Sequence, residues 1–233
     1  MTFQYASYSN VGKRENNEDA FCVKQTEHFF WALVADGVGG HENGEVASGI
    51  AVEVLCQRLA GQIVDEDTLA YAIMDASEAV RKNAGSGHTT VAVLWADDSN
   101  AVAAHVGDSR IYHIRDGKIR YQSVDHSVVQ MAVLVGELKP EAVRNHKDRN
   151  KLFRVLGEQE LPRVDSCELT IKPGDRFLLC SDGFWEPVTE TDMLRTASET
   201  ETPQQWLDAM IRIVEAAKDP RQDNYTAVCV IVK

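Results

Sequence analysis

Residues 29–41 read Phe-Phe-Trp-Ala-Leu-Val-Ala-Asp-Gly-Val-Gly-Gly-His, an apolar run of strand length that ends at an Asp-Gly pair. The apolar residues indicate a buried strand, and the glycine after Asp36 frees the backbone to turn and allows a carbonyl or ligand to approach closely. Similar features recur along the chain, because Asp108 and Asp182 each follow an apolar run and Asp223 immediately precedes one. The sequence therefore predicts acidic side chains at the ends of several strands.

Other short apolar runs of strand length end at polar residues or glycine and indicate packed sheets. They are residues 91–95, 101–106, 176–180 and 225–232. Residues 110–115 and 118–121 flank Asp116-Gly117, a dipeptide that tolerates the backbone angles of a tight hairpin turn. This last pair of strands is therefore predicted to be antiparallel.

Helical patterns lie between the strand-like runs. An apolar stripe at four-residue spacing consists of Val46, Ile50 and Val54 with Ala47, Ala51 and Leu55, and further helices are predicted near residues 67–81, 127–135 and 203–217. Thr189 and Asp192 resemble a capping box before another short helix. Because the helices come in groups and do not alternate strictly with strands, the pattern favours an α+β fold with antiparallel sheets. The length fits a single domain over residues 1–233.

The charge balance narrows the class of partner. Asp and Glu number 36 against 24 Lys and Arg, which gives a formal net charge of −12. Such a balance disfavours a surface that neutralises nucleic-acid phosphates or anionic lipid. We therefore expect neither a nucleic acid nor a membrane as partner.

The cysteines and the N-terminal residues bear on the compartment. The cysteines are odd in number and scattered, without a C-x-x-C pair, so neither a disulfide framework nor a zinc ribbon is indicated and most are expected to be core thiols. The first residues lack the basic segment and apolar stretch of a signal peptide, and no apolar run reaches the length that crosses a bilayer. These features predict a soluble, cytoplasmic protein.

The four aspartates at strand ends would form a site with oxygen donors only, if the fold brings them together. The chain has no H-E-x-x-H motif and no paired Cys and His, so the donor set favours magnesium or manganese over zinc. Two such ions about 3.5–4 Å apart can activate a water for in-line attack on phosphorus. The alternative is that each Asp-Gly pair is only a favourable turn, which is the commoner role of any one pair taken alone.

Six short motifs occur in a fixed order along the chain. They are Arg14-Glu15-Asn16-Asn17-Glu18-Asp19-Ala20, Asp36-Gly37-Val38-Gly39-Gly40-His41, Thr89-Thr90, Val106-Gly107-Asp108-Ser109-Arg110, Ser181-Asp182-Gly183 and Asp223-Asn224-Tyr225-Thr226-Ala227. Together, from Ser7 to the final strand, they resemble the metal-dependent Ser/Thr protein phosphatases of type 2C, the PPM family, in its compact bacterial form. The resemblance implies two antiparallel sheets in a central sandwich flanked by helices, a four-layer αββα arrangement, with a metal cleft at one sandwich edge.

The resemblance also implies a ligand set for two tightly bound Mn²⁺ or Mg²⁺ ions. Asp36 would bridge the two ions, the carbonyl of Gly37 would bind one of them, and Asp182 and Asp223 would complete the protein ligands of the other. Asp108 matches the family's additional ligand for a third, weaker ion, which it would share with Asp182. Glu18 and Asp19 would orient waters bound to the metals; such groups tune the ligands that they support.

Two further residues are candidates for contact with the substrate. Arg14 matches the arginine that the family uses on the substrate phosphate, and its planar guanidinium can donate two parallel hydrogen bonds to phosphoryl oxygens. His41 would either protonate the leaving alkoxide as a general acid or orient a water. The family's better-known histidine acid lies closer to the Asp-Gly pair, at a position that Val38 occupies here.

The function predicted from this resemblance is hydrolysis of phosphoserine and phosphothreonine monoesters in proteins. The expected partners are phosphorylated proteins, the substrates of a cognate Ser/Thr kinase, and the expected oligomeric state is a monomer. One alternative is a catalytically inactive module that binds phosphoproteins, which the intact aspartates disfavour. Another is a two-metal phosphodiesterase or nuclease, which the acidic balance disfavours.

Overall fold

The computed structural model describes residues 1–38, 43–61 and 63–233, and within them the chain forms two five-stranded sheets. The strands are β1 (Phe3–Asn10), β2 (Asp19–Gln25), β3 (Phe30–Asp36), β4 (Val91–Ala96), β5 (Asn100–Val106), β6 (Arg110–Arg115), β7 (Lys118–Gln122), β8 (Asp165–Thr170), β9 (Arg176–Cys180) and β10 (Tyr225–Val232). The helices are α1 (Gly44–Arg58), α2 (Glu66–Asn83), α3 (Val128–Leu134), α4 (Asp182–Trp185), α5 (Glu190–Ser198) and α6 (Pro203–Ala217), with a 3₁₀ helix at Pro140–Asn145.

Both sheets are antiparallel throughout their described pairs. One has the strand order β1-β10-β9-β6-β7 and the other β2-β3-β4-β5-β8. The two sheets pack face to face, and α1 and α2 cover the second sheet while α5 and α6 cover the first. This arrangement confirms the predicted α+β sandwich with helices on its outer faces.

Strand β3 shows why the opening stretch of apolar residues is continuous. Phe30, Ala32 and Val34 belong to the core between the two sheets, whereas Trp31 and Leu33 belong to the core beneath α1 and α2. Successive residues of a strand point to opposite faces, so a strand covered on both sides is apolar at every position. The strand therefore carries Asp36 to the edge of a doubly covered sheet.

The predicted turn and cap are confirmed in detail. Asp116 and Gly117 both have positive φ, 54° and 67°, as the hairpin between β6 and β7 requires. Thr189 and Asp192 form a reciprocal capping box at the start of α5. Of the stripe predicted for α1, the positions Ala47, Ala51 and Leu55 are fully buried, while Val46 is exposed.

The strands that the apolar pattern failed to predict are β1, β2 and β8. All three lie at an edge of their sheet. Most of their side chains are half-buried or exposed, and polar residues interrupt the apolar ones. An edge strand packs on fewer neighbours, so its sequence lacks the unbroken apolar run of a central strand.

The cysteine prediction is wrong at one pair. Cys22 of β2 and Cys56 of α1 form a disulfide across a sequence separation of 34 residues. Cys180 and Cys229 are buried free thiols, as expected, and Cys167 is free and half-buried. Two half-buried cysteines on different elements leave no spacing signature, which is why the sequence did not predict their pairing.

Among the described residues, no helix has the length and apolar character that a passage through a bilayer requires.

Reduction of the Cys22–Cys56 disulfide should destabilise the fold. A cross-link over this separation constrains the unfolded chain, and its loss typically costs about 2–4 kcal/mol of unfolding free energy. Urea unfolding with and without dithiothreitol measures the difference, and a C22S/C56S variant should not respond to the reductant. As a control, Cys167→Ser should keep the full response; a wild-type stability that is independent of reductant would contradict the cross-link.

Candidate metal and active site

The four aspartates predicted from strand ends line one cleft. Asp36 ends β3, Asp108 follows β5, Asp182 opens α4 directly after β9, and Asp223 lies two residues before β10. The cleft has a volume of about 610 Å³, and its lining residues are Lys13, Arg14, Glu15, Asn16, Glu18, Asp36, Gly37, Val38, Thr90, Asp108, Asn150, Leu152, Asp182, Asp223 and Asn224. The structure thus brings Arg14, Glu18, Gly37 and all four predicted aspartates to one place.

Strand pairing and close backbone approach position these residues. Asp19 is the register partner of Asp36 in the β2–β3 pair, so the two carboxylates start side by side. A Cβ atom on Gly37 would lie 2.6 Å from the backbone of Gly44, and one on Gly183 would lie 2.2 Å from the carbonyl oxygen of Asn224. Neither of these glycines has a positive φ. The glycine after each aspartate is therefore required for close approach of another segment and not for a left-handed turn.

Asn224 fixes the β1–β2 loop, which carries Arg14 and Glu18. Its side-chain amide donates to the carbonyls of Val11 and Asn16 at 2.8 and 2.9 Å. Its Oδ1 accepts from the backbone N–H of Glu18 at 2.8 Å. Asn224 thus holds Glu18 and the Arg14 segment against Asp223. The sequence analysis placed Asn224 in a motif but gave it no role.

Burial and mutual repulsion dominate the electrostatics of the cleft. The pKa of Asp36 is raised well above its usual value, first by burial and then by Asp19, Asp182, Asp108 and Asp223. Burial raises the pKa of Asp182 in the same way, with Asp108 as the largest charged contributor. Like charges in a site of low solvent access disfavour each other's ionised form, so the cluster either retains protons or binds a cation.

Two further carboxylates of the cluster, those of Asp108 and Asp19, also have raised pKa values. Burial raises the pKa of Asp108 to about 7, with Asp125 as the next cause. Burial also raises the pKa of Asp19 to about 6, although Ser181 donates a hydrogen bond to its Oδ2 at 2.7 Å. All donors are hard oxygens, and they fit a divalent Mn²⁺ or Mg²⁺ ion. Among the described residues no three His, Cys, Asp or Glu side chains are grouped so that they could hold a metal ion by themselves.

Arg14 is a positively charged residue of the cleft and lies next to Asp223. Its Nη2 contacts Oδ2 of Asp223 at 2.6 Å, and its side chain is about half exposed (51%). The predicted role of Arg14 is to bind phosphate, and its place in the cleft lining is compatible with that role. The contact with Asp223 was not predicted; it gives one candidate ligand a positive partner within the protein.

Glu186 is an acidic residue of the site that the sequence analysis missed. It contributes to the raised pKa of both Asp182 and Asp108, so its carboxylate lies in their electrostatic surroundings. It follows Asp182 by four residues, and on a helix that spacing places two side chains on the same face. Arg149 binds Glu186 with two hydrogen bonds, of which the Nη2–Oε2 contact is 3.2 Å.

His41 lies outside the described residues. Its role as general acid or as a water-orienting group therefore stays a prediction.

Comparison with known proteins adds the family context. The family model described as protein phosphatase 2C matches residues 7–224. The serine/threonine phosphatase stp of Listeria monocytogenes is 33% identical over 238 residues, which cover 93% of this chain and 90% of that protein. PstP of Mycobacterium tuberculosis is 32% identical over 98% of this chain and 45% of its own length.

Solved structures show the same similarity. The crystal structure of the catalytic domain of PstP in complex with two manganese ions matches with a TM-score of 0.83 and 27% identity, over 99% of each chain. The crystal structure of PstP from M. tuberculosis matches with a TM-score of 0.86 and 28% identity, over the full length of both chains. The fold is thus shared with a relative whose crystal structure contains two manganese ions.

The metal-free protein should lose stability as the pH rises from about 4 to about 7. The folded-state pKa values of Asp19 and Asp108, about 6 and about 7, lie above the usual unfolded value of about 3.9. The folded state therefore binds the extra protons, and their stabilising contribution is present below the unfolded pKa and lost as the pH passes through the folded pKa. Urea unfolding in EDTA over this range measures the slope of the free energy of unfolding against pH.

In the same experiment Asp108→Asn should flatten the slope near pH 7, because the amide imitates the protonated acid. Asp67→Asn, at an exposed position of α2, is the matched control and should keep the wild-type slope. Saturating Mn²⁺ should restore stability at pH 7 and above, since a ligand of the folded state stabilises it. Equal slopes for the wild type and Asp108→Asn would contradict the assignment of this titration to Asp108.

Proposed function

Because this chain belongs to the protein phosphatase 2C family of metal-dependent serine/threonine phosphatases, we propose that the cleft described above is its active site. The proposal assigns the metal ligands to Asp36, the Gly37 carbonyl, Asp182 and Asp223, with Asp108 for a weaker third ion. The observation that carries it is the convergence of these carboxylates in one cleft, where burial and repulsion from neighbouring carboxylates raise the pKa values of Asp36, Asp108 and Asp182.

The chemistry of the site divides between the ions and the chain. When bound, Mn²⁺ or Mg²⁺ supplies Lewis acidity toward water and neutralises charge on the phosphoryl oxygens. Asp36 holds the central position, because it receives repulsion from Asp19, Asp108, Asp182 and Asp223. Glu18 and Asp19 would orient waters at the edge of the carboxylate cluster. Their own positions are secured by Asn224 and Ser181.

Arg14 is the proposed phosphate-binding residue. In the structure its guanidinium is paired with Asp223, and a divalent cation on Asp223 would compete for that carboxylate. The guanidinium would then direct its paired N–H groups to the phosphoryl oxygens, a geometry that a planar fork provides and an ammonium does not. Arg14 would thus leave the Asp223 carboxylate and bind the substrate phosphate when metal and substrate are present.

The two alternative classes have little support. The predicted ligand aspartates are all present and gathered in one cleft, so a module without metal chemistry does not explain them. The similar proteins in Listeria and Mycobacterium carry names of serine/threonine phosphatases and not of nucleases. Phosphorylated proteins are therefore the substrates of this enzyme.

We infer a cognate Ser/Thr kinase, because a phosphoprotein phosphatase requires an enzyme that forms its substrate, and we propose a monomer with residues 1–233 as one phosphatase domain. The proposed cytoplasmic location faces one opposing observation, the Cys22–Cys56 disulfide. Disulfides are rare in reducing compartments. Trapping of free thiols in intact cells would show whether Cys22 and Cys56 are reduced, as a cytoplasmic location predicts, or paired.

The purified protein should hydrolyse a phosphothreonine peptide with Mn²⁺ or Mg²⁺ and release no phosphate after chelation. Phosphotyrosine and phosphodiester substrates should be poor by comparison. Asp36→Ala, Asp182→Ala and Asp223→Ala should each abolish turnover and weaken Mn²⁺ binding in calorimetry, because each removes a proposed ligand.

Asp67→Ala is the control for these variants and should retain both activity and metal binding. Asp108→Ala should leave the two tight ions bound, since its proposed ion is the weaker one. Normal turnover and undiminished metal affinity in all three ligand variants would remove the proposed site.

Arg14→Ala should lower kcat/KM on a phosphothreonine peptide about tenfold to hundredfold, which corresponds to roughly 1.5–3 kcal/mol of lost charge-assisted hydrogen bonding. Arg14→Lys should recover only part of the loss, because it keeps the charge but not the planar contact. Neither variant should weaken Mn²⁺ binding. Arg120→Ala, at another half-exposed arginine (47%), should behave as the wild type; parent-like kinetics in both Arg14 variants would make Arg14 a surface residue only.

A further inference from the structure

A cationic segment borders the active-site cleft of this acidic protein. Residues 139–151 contain five Lys and Arg residues and two acidic residues, whereas the whole chain has a net charge of −12. Asn150 of this segment and the adjoining Leu152 line the cleft. The local excess of positive charge therefore lies beside the cleft.

The arginines of the segment are engaged within the protein. Arg144 donates to Oε1 of Glu190 at 2.7 Å and to the carbonyl of Glu186 at 3.2 Å. Arg149 binds the carboxylate of Glu186 through two hydrogen bonds. Planar guanidinium groups suit such two-point contacts. The arginines thus anchor the segment on the elements that follow Asp182.

The lysines of the segment face solvent on either side of Asn150. Lys147 is exposed, and in the described part of the chain it forms no ion pair. Lys151 is 67% exposed, and its described ion pair is with the neighbouring Asp148. Two successive turns, Arg149 N–H to the His146 carbonyl and Lys151 N–H to the Asp148 carbonyl, keep both lysines close to Asn150.

A second loop adds another exposed cation to the same cleft. Lys13 precedes Arg14 in the β1–β2 loop, lines the cleft and forms no ion pair with a described residue. Glu15 also lines the cleft from this loop, so the net positive edge is the one at Lys147 and Lys151. An ammonium on a flexible stem is a point charge that meets carboxylates in many orientations, which suits side chains of varied sequence.

We propose that Lys147 and Lys151 form a docking edge for acidic residues of the substrate, so that phosphoserine and phosphothreonine sequences with neighbouring carboxylates are the preferred class. This inference rests on the proposed function of the cleft. An extended peptide rises about 3.3 Å per residue, so positions two and three residues from the phosphoresidue lie about 7–10 Å along the chain from it, and we infer that they meet the edge of the cleft. Opposite charge there favours encounter and correct register more than it adds raw affinity.

The test uses three phosphothreonine peptides that differ only at the positions two and three residues on each side of phosphothreonine, which carry Glu, Gln or Lys. At saturating Mn²⁺ and low ionic strength, kcat/KM for the Glu peptide should exceed that for the Gln peptide about threefold to tenfold, as expected for a few exposed charge pairs. The Lys peptide should be the poorest. Higher salt should reduce the differences, because exposed charges are screened.

A K147Q/K151Q variant should bring the ratio of the Glu and Gln peptides close to one. The matched control is K24Q/K118Q, which removes the same charge from exposed positions of β2 and β7 that are not among the described cleft residues. It should keep the wild-type ratio. Thermal unfolding of each variant checks that the fold is retained.

Two results would overturn the docking edge. One is equal kcat/KM for the Glu and Gln peptides in the wild type, and the other is an equal loss of preference in both lysine variants, which would indicate an effect of net charge alone. Failure of the proposed function gives a different result, namely no Mn²⁺-dependent phosphate release from any of the three peptides.

Discussion

The repulsion among carboxylates at the edge of the sandwich is the constraint on which the rest of the site depends. Strand β3 is buried on both faces and delivers Asp36 next to Asp19, while β9 and β10 deliver Asp182 and Asp223 from the other sheet. In a site of low dielectric, several ionised carboxylates are costly without a counter-charge. Protons, the Arg14 guanidinium next to Asp223 and bound divalent cations can each reduce this repulsion.

Rigid packing keeps these charges together despite their repulsion. The cores on both sides of the sheets fix the strand ends, and the glycines at 37 and 183 allow neighbouring backbone to approach more closely than any side chain would permit. Asn224 adds hydrogen bonds to three points of the β1–β2 loop. The scaffold thus opposes the repulsion and keeps the carboxylates together at one edge of the sandwich.

The sequence was informative wherever burial is complete. Continuous apolar runs predicted β3 to β5, β9 and β10, and the positions of the aspartates at their ends followed from those runs. The edge strands β1, β2 and β8 lack such runs, since one side of each is open. The Cys22–Cys56 pair and the Arg149–Glu186 pair depend on how distant elements pack. Pairwise contacts of this kind leave no local period or spacing in a sequence.

Near the active site, a buried arginine stabilises the fold, whereas the lysines are exposed to solvent. Arg110 is buried, binds Asp125 with two hydrogen bonds of 2.8 and 2.7 Å, and lies 3.5 Å from the centroid of the Trp185 ring. Trp185 in turn donates from Nε1 to the carbonyl of Asp108 at 2.9 Å. Breaking such a buried pair would leave an uncompensated charge, so this network holds the Asp108 segment in place. Lys13, Lys147 and Lys151, by contrast, are exposed in the segments that border the cleft, where an ammonium stays hydrated.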